Sequence, residues 1–327
     1  MKKIIYVLLF LPLIGLSQTQ DLLELKGPYL GMNPPGLEPE IFAPGIISTE
    51  LHDDGSPAFS LDGNEVYFRI AGHINNKPRG VIFYMRRENG IWTIPQIAPF
   101  SSEFMDGGVV FSPDNKRIYF ISQRPLEGNM NEIESNKIWF VERVGNSLTK
   151  PQLWNVPLNK YEVGTGFSIS KNGNVYTALN LTGEEDADDI YIMRLVNGSY
   201  QEPENIGVSI NSDGWEGAAC ISSDESYLIF NSIREGELGL YVSFHKENDS
   251  WSKPIRLAED INKGGSLFAG ISPDSKYLFF VGHRVTDQTN PPKNWETDIF
   301  QGPQVNWGGD VYWVSTKIIR KLKQKNI

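Results

Sequence analysis

The sequence predicts an all-β fold: a single β-propeller of four-stranded antiparallel blades, five in number with six as the alternative count, closed by an N-terminal strand. Three observations lead there. A decapeptide recurs about every fifty residues, prolines mark an outer strand in each repeat, and the early chain supplies a strand that the last repeat lacks.

The recurring stretch is clearest at Phe111-Ser112-Pro113-Asp114-Asn115-Lys116-Arg117-Ile118-Tyr119-Phe120. Copies begin at Phe59, Ile169, Ile221 and Ile271, the one at Ile169 a residue shorter, and the intervals along the chain are 52, 58, 52 and 50 residues. Each copy ends one apolar strand, turns through Pro, Asp, Asn or Gly, and opens a second strand rich in Tyr, Phe, Ile and Val, which is hairpin chemistry. A third apolar run follows, as in Gly80-Val81-Ile82-Phe83-Tyr84-Met85 and Asp189-Ile190-Tyr191-Ile192-Met193, and then a polar turn. The fourth strand carries a bulky residue with proline three positions on: Trp92 and Pro95, Leu148 and Pro151, Tyr200 and Pro203, Trp251 and Pro254. Proline has no N–H to give a neighbouring strand, so this strand is expected at a sheet edge.

The fifth repeat reaches its third strand at Asp310-Val311-Tyr312-Trp313-Val314 and runs on with no fourth. Near the other end, Ile41 and Pro44 reproduce the bulky-to-proline spacing with no hairpin before them, so that strand is expected to fill the gap and remove the open edge. The Pro/Gly-rich stretch from Gly27 to Gly36 is expected to cross the surface. The basic, amphipathic stretch from Lys317 to Lys325 is expected to form a short helix on the outside of the ring.

Composition narrows the setting. With 327 residues and a formal net charge of −10, the chain suits one large all-β domain and is poorly matched to nucleic acid or anionic membrane surfaces. Residues 1–18 read as a secretory signal, with Lys2 and Lys3 ahead of an apolar run too short to span a bilayer. That leaves a propeller on 19–316 and a basic C-terminal tail on 317–327. The single cysteine, Cys220, excludes an internal disulfide, lies in an apolar run and reads as a small core residue; none follows the signal to accept a lipid. The expected protein is a monomer without a membrane span, in the periplasm or outside a bacterial cell.

The Phe/Ile-Ser-Pro-Asp anchors with Tyr-Phe after them, most complete at Phe111 to Phe120 and Ile271 to Phe280, resemble the WD40-like Pro-Asp repeat propellers of bacteria related to TolB. The opening Tyr29-Leu30-Gly31 through Phe42-Ala43-Pro44-Gly45 and the closing Gly309 to Trp313 look like single-domain members from Bacteroidetes-type bacteria. Leu61, Lys171-Asn172 and Ser223 depart from the pattern. The resemblance implies a propeller and an envelope location but no reaction, since the fold hosts many functions.

Strand order places the hairpin turns on one face of the ring and the blade-to-blade crossings on the other. The insertions 70–80, 124–137 and 285–309 share the crossing side, called here the loop face, where binding usually resides. Four carboxylates, Asp54, Asp106, Glu162 and Glu216, stand five to seven residues before their anchors, and three arginines, Arg124, Arg234 and Arg284, stand thirteen after theirs. Acid and arginine around one rim form either a structural lattice or a polar pocket in which arginine grips a carboxylate or phosphate. His52 and His283 fall on the same face, whereas Trp295, Phe300 and Trp307 supply either a sugar-stacking lip or the insertion's own small core.

These residues lead to an expected exported propeller that binds a partner protein or glycan at the loop face without catalysis. Arg124, Arg234, Arg284, Trp295 and Trp307 are its candidate contacts. The competing expectation is a glycoside hydrolase or polysaccharide lyase using Asp54, Asp106, Glu162, Glu216, His52 and His283. No nucleophile motif, phosphate loop or metal-ligand spacing stands out, so no cofactor or metal is expected. Geometry separates the two: carboxylates about 5 to 9.5 Å apart across an open pocket suit hydrolysis, and acids each capped by an arginine suit a lattice.

Overall fold

The structure, a computed structural model, describes residues 25–48, 53–74, 77–126, 135–145, 147–181, 188–236, 238–263, 265–283 and 309–326. Residues 1–18, where a secretory signal is expected, lie outside them. Five antiparallel four-stranded blades form a β-propeller. The first strand, β1 (Glu40–Ile41), belongs to the last blade. Blade 1 consists of β2 (Asp53–Phe59), β3 (Glu65–Ile74), β4 (Lys77–Glu88), the short β5 (Ile91–Trp92) and the outer β6 (Gln96–Ile97). Blade 2 repeats the plan with β7 (Asp106–Phe111), β8 (Arg117–Ser122), β9 (Lys137–Val144), β10 (Ser147–Leu148) and β11 (Gln152–Leu153). Blade 3 has β12 (Val163–Ile169), β13 (Val175–Leu179), β14 (Asp189–Met193), the hairpin of β15 (Leu195–Val196) and β16 (Ser199–Tyr200), and β17 (Glu204–Asn205). Blade 4 has β18 (Glu216–Ile221), β19 (Tyr227–Ser232), β20 (Gly239–Phe244) and β21 (Ile255–Arg256), followed by the one-turn helix α1 (Glu259–Asn262). Blade 5 joins β22 (Leu267–Ile271), β23 (Tyr277–His283) and β24 (Gly309–Ser315) to β1, and the chain ends in helix α2 (Lys317–Asn326).

The recurring turn owes its chemistry to a serine and an aspartate two residues apart. Ser112 Oγ donates to Asp114 Oδ1 at 2.6 Å, Lys116 N–H donates to the same carboxylate at 3.0 Å, and Arg117 N–H donates to Ser112 Oγ at 2.9 Å. The same set recurs at Ser60/Asp62, Ser222/Asp224 and Ser272/Asp274. Side-chain oxygens thus satisfy the turn's backbone donors and free it from ladder bonding. The shorter turn of blade 3 has Asn172 in place of the aspartate, and Ser170 Oγ is left buried without a hydrogen-bond partner.

A second recurrent device was not read from the sequence. The first residue of each inner hydrogen-bonded stretch of the third strand is capped by a polar side chain that follows the fourth strand. Asn159 brackets Ile138, Asn211 brackets Ile190 and Asn262 brackets Leu240, each donating to the carbonyl and accepting from the N–H; Ser101 and Ser48 serve Ile82 and Val311. Those amides are buried in blades 3 and 4, where an unpaired backbone group would be costly.

The outer strand differs from its expected form. Trp92 pairs back on Arg87 as the end of a hairpin, and the strand resumes only after Pro95, where Ile97 pairs with Phe83. Proline divides the edge because it has no N–H to keep the ladder continuous. Ile41 pairs with Tyr312 as Ile97 pairs with Phe83, so Ile41 corresponds to Ile97 and not to Trp92. The ring closes through the N-terminal strand as expected, but the match of Ile41 and Pro44 to Trp92 and Pro95 is out of register.

The bulky residue serves the seam. Tyr200 of blade 3 meets Trp154 of blade 2 edge-on at 5.1 Å, Trp251 packs in the cluster around Tyr176 and Ile206 of blade 3, and Trp92 packs with Phe59 and Phe42. Blade 5 has no such hairpin, and α2 takes its place, with Ile319 buried beside Leu257 and Phe244 of blade 4.

The Pro/Gly stretch does more than cross the surface. Tyr29, Leu30 and Gly31 take left-handed conformations, a tight turn that buries Leu30 and sets the Tyr29 ring 5.1 Å from Phe59 and 5.0 Å from Tyr277. A Cβ on Gly31 would stand 2.5 Å from the Lys26 carbonyl, so only glycine fits. Tyr29 OH donates to Asp274 at 2.8 Å, and Trp92 Nε1 donates to Gly27 O at 2.8 Å. The segment is a wedge in the seam between blades 5 and 1. Sequence patterning missed it because irregular backbone gives no periodic signal.

Deleting residues 19–48 removes both β1 and this wedge, so the truncated chain should lose cooperative unfolding; an unchanged melting temperature would contradict closure by β1. The turn aspartates set the acid limit. At Asp114 the Ser112 hydroxyl and the Lys116 N–H hold the carboxyl below its ordinary value. At Asp62, Asp224 and Asp274 burial pushes upward, but hydrogen bonds from the neighbouring serines and N–H groups outweigh it. Folded values below unfolded ones give stability that is complete above about pH 4 and lost as pH falls further. Unfolding titrations should therefore show stability falling below about pH 4, and less steeply in D114N/D224N. An identical acid profile in that variant would exclude these turns as the cause.

Candidate functional site

The inner strands β2, β7, β12, β18 and β22 form the wall of an axial channel. Each contains a bulge at the same level, between Asp54 and Ala58, Gly107 and Val110, Val163 and Phe167, Gly217 and Cys220, and Leu267 and Gly270. A bulge bends its strand and strengthens its twist, which turns the incoming crossing toward the rim. In four blades the bulge holds a left-handed residue: Gly55, Gly108, Ala218 and Phe268. The cavity inside measures about 410 Å³ and runs from these bulges to the hairpin turns at Pro113, Lys171, Ser223 and Pro273. No Asp, Glu or His is among the residues that line it.

At the loop-side rim, two of the four expected carboxylates occupy one equivalent position. Asp106 pairs with Ser122 and Glu216 with Ser232 at the start of the inner strand. Both carboxylates are fully buried, and each lies 3.2 Å from an arginine Nη2, that of Arg124 or Arg234, whose side chains are only 12% and 15% exposed. Arg124 Nε donates to Ser122 Oγ and its Nη2 to Phe100 O, both at 2.9 Å. Arg234 makes the same bonds to Ser232 Oγ and Ile210 O. The guanidinium groups also lie over rings, Arg124 4.8 Å from Phe120 and Arg234 5.2 Å from Phe230 and from Tyr241. Ser102 and Ser212, four residues before the acids, donate through N–H and hydroxyl and complete the site.

The serines were missed by sequence reading, although the repeated spacings Ser102/Asp106 with Ser122/Arg124 and Ser212/Glu216 with Ser232/Arg234 are visible once the pairing is known. The sequence offered the arginines as a structural lattice or as ligand contacts. In the structure Arg124 and Arg234 are deeply buried struts joining the inner strand, the second strand and the preceding crossing, the arrangement of a lattice.

The other candidates part from this arrangement. Glu162 is exposed and one residue out of step, since Val163 takes the Asp106 position and Leu179 the Ser122 position. Asp54 pairs with Arg69 one residue further along than Asp106 in its own blade. In blade 5 buried Ser266 precedes Leu267, the residue opposite Val281, and so stands where the acids stand. His283 ends β23 opposite Gly309. His245 sits away from the rim on the blade 3–4 seam, stacked on Trp251 at 4.7 Å with Nε2 2.9 Å from Asp249 Oδ1. His52, Arg284, Trp295, Phe300 and Trp307 lie outside the described residues. Cys220 is buried in the channel wall, where burial pushes its thiol up to about 12, as suits a core residue. Among the described residues no group of three or more His, Cys, Asp or Glu could hold a metal, and no helix is long and apolar enough to cross a membrane.

Removing either strut arginine leaves a carboxylate buried without its counter-charge. Arg124→Ala or Arg234→Ala should each cost about 3–5 kcal/mol in denaturant unfolding, and R234M/E216L should regain most of that loss. A cost below about 1 kcal/mol would show that the rim does not depend on them.

No protein-family model and no curated protein matches the chain. Among solved structures it is similar to TolB from Acinetobacter baumannii, at 18% identity over 68% of this chain and 47% of that one, with a TM-score of 0.44. It thus spans about half of that chain. It is also similar to an alpha-L-arabinofuranosidase from Lactobacillus brevis, at 17% identity over 83% of this chain and 92% of that one, with a TM-score of 0.48. A putative TolB from Agrobacterium tumefaciens is 15% identical over 80% and 89% of the two chains, with a TM-score of 0.44. These likenesses, TolB-like propellers among them, accompany the propeller established by the strand pairing and extend no further.

Proposed function

We propose that the chain is an exported, non-catalytic propeller that binds a partner protein or a glycan at its loop face. The observation that carries this reading is the fate of the rim acids: Asp106 and Glu216 are fully buried and each is held by an arginine at 3.2 Å. Carboxylates fixed in this way are taken up by the guanidinium groups and shielded from a ligand, so they frame a mouth and do not face into it. The absence of Asp, Glu and His from the described channel wall points the same way. Export rests on residues 1–18, and of the binding contacts read from sequence, Arg124, Arg234, Arg284, Trp295 and Trp307, the first two are engaged by the rim acids, which leaves Arg284, Trp295 and Trp307 for the ligand.

Calorimetric titration with a panel of soluble oligosaccharides and peptides, run beside a reducing-end assay, tests the proposal. Binding without turnover is expected. Replacing residues 288–306 by a Gly/Ser linker should then weaken binding at least about tenfold while the melting temperature holds, and Trp307→Ala should give part of that loss. Turnover of a glycan that disappears in Asp54→Asn or Glu162→Gln would replace this reading with the carbohydrate-active enzyme.

A further inference from the structure

The axial channel carries a second, independent inference. It is elongated, since its wall runs the length of the inner strands, and six residues such as Asp106–Phe111 at about 3.3 Å each span roughly 20 Å. A void of about 410 Å³ stretched over that length is narrow, suited to one extended chain.

The wall chemistry selects among chains. Its middle and loop-side parts are lined by Val109, Ala218, Ala219 and Phe268, with the Arg69 side chain set against Gly80 and Gly107 toward the loop-side rim. The hydroxyls there are already committed: Ser56 Oγ donates to Phe268 O, and Ser168 Oγ donates to Ala219 O at 2.9 Å while accepting Ile221 N–H at 2.9 Å. A peptide or a sugar threaded here would leave its own donors and acceptors unpaired. An alkyl chain has none to lose. The turn-side end differs, because Ser170 Oγ is fully buried without a partner and Lys171 stands beside it.

Phe268 adds a separate observation. Its φ is 53°, a conformation that Gly55 and Gly108 adopt in equivalent bulges without strain. Both neighbouring blades hold it there: Asn231 of blade 4 accepts Phe268 N–H at 3.1 Å and donates to Ser266 O at 2.8 Å, and Ser56 of blade 1 bonds its carbonyl. Glycine would make the bulge more cheaply, so the ring itself is what the strained position supplies.

We propose that the axial channel binds an unbranched fatty acid. Its chain lies against Val109, Ala218, Ala219 and Phe268, and its carboxylate sits at the turn-side mouth beside Ser170 and Lys171.

The test is a fluorescence titration of the delipidated full chain with 11-(dansylamino)undecanoic acid, followed by displacement with dodecanoate below its micellar concentration. Saturable binding of one probe per chain, displaced by dodecanoate but not by oligosaccharides or soluble peptides, is expected. Phe268→Gly should weaken the probe about tenfold or more while the melting temperature holds or rises, a combination that a purely structural phenylalanine would not give. Lys171→Glu, at an exposed turn, should weaken dodecanoate several-fold and leave dodecanol unchanged. No saturable binding, or affinity indifferent to Phe268→Gly, would overturn the site; equal dodecanoate affinity in Lys171→Glu would overturn the placement of the carboxylate. Neither result bears on glycan or peptide binding at the loop face, which is measured separately.

Discussion

Two residue pairs, Glu40 with Trp313 and Ile41 with Tyr312, join the first strand to the last and close the ring. Without them β24 would present an open edge. So short a strand holds because its surroundings are dense. Ser48 Oγ donates to the carbonyls of Phe42 and Val311 and accepts Val311 N–H, and Phe42 lies among Phe59, Phe279 and Trp313 at 5.0 to 6.0 Å. Closure is therefore a packing event as much as a pairing one. The Tyr29 wedge completes it from the turn side through Asp274, an aspartate whose first duty is to its own hairpin.

Charge in this protein is used mainly to set distances between elements. Beyond the two rim struts, Glu65 of blade 1 is nearly buried and takes Arg143 from blade 2 at 2.5 Å and Arg86 from its own blade at 3.2 Å. Buried pairs of this kind add little net stability over well-packed apolar residues, but they punish misalignment, since a shifted blade leaves a bare charge. In blade 3 Val163 and Leu179 replace the strut outright, so the fold tolerates an apolar solution at that position. The acidic strut is thus one of two ways to secure a crossing, and its presence at the mouth does not by itself mark chemistry.

The repeats were legible because a strand period of two and a turn made of Ser, Asp and Gly repeat whenever the blade repeats, and each copy reinforces the register of the others. The anchors, the hairpins, the closing strand and the terminal helix follow from that. What escaped were features outside the strand alternation and the turn motif. The proline that breaks the outer strand fixed an edge correctly but disguised where pairing resumes, so Ile41 was aligned to Trp92 in place of Ile97. The capping amides Asn159, Asn211 and Asn262 lie six residues beyond the fourth strand and recur 52 and 51 residues apart, but they stand inside crossings, where neither strand alternation nor turn chemistry marks them. Counting back five from the anchor brought Asp54 level with Asp106 and Glu216, because the bulge of blade 1 contains an extra residue that sequence spacing cannot show. Glu162, seven before its anchor, falls one residue short of the equivalent Val163 even with the extra residue in the bulge of blade 3.

Those bulges also explain why the channel became the most distinctive part of the molecule. A five-bladed ring draws its inner strands close together, and a bulge in each relieves the crowding by turning backbone aside at one level. Glycine meets that need at Gly55 and Gly108, and at Gly108 a Cβ would come within 3.0 Å of Ile121. Where blade 4 places Ala218 and blade 5 places Phe268 at the same turn, the backbone requirement is unchanged but side chains enter the axis. Strain that glycine would avoid is retained at two of the five positions, and the buried Asn231 amide is devoted to holding one of them. The regular parts of each blade are interchangeable solutions to packing, so the residues in which blades 4 and 5 differ from blades 1 and 2 give the axis its own chemistry.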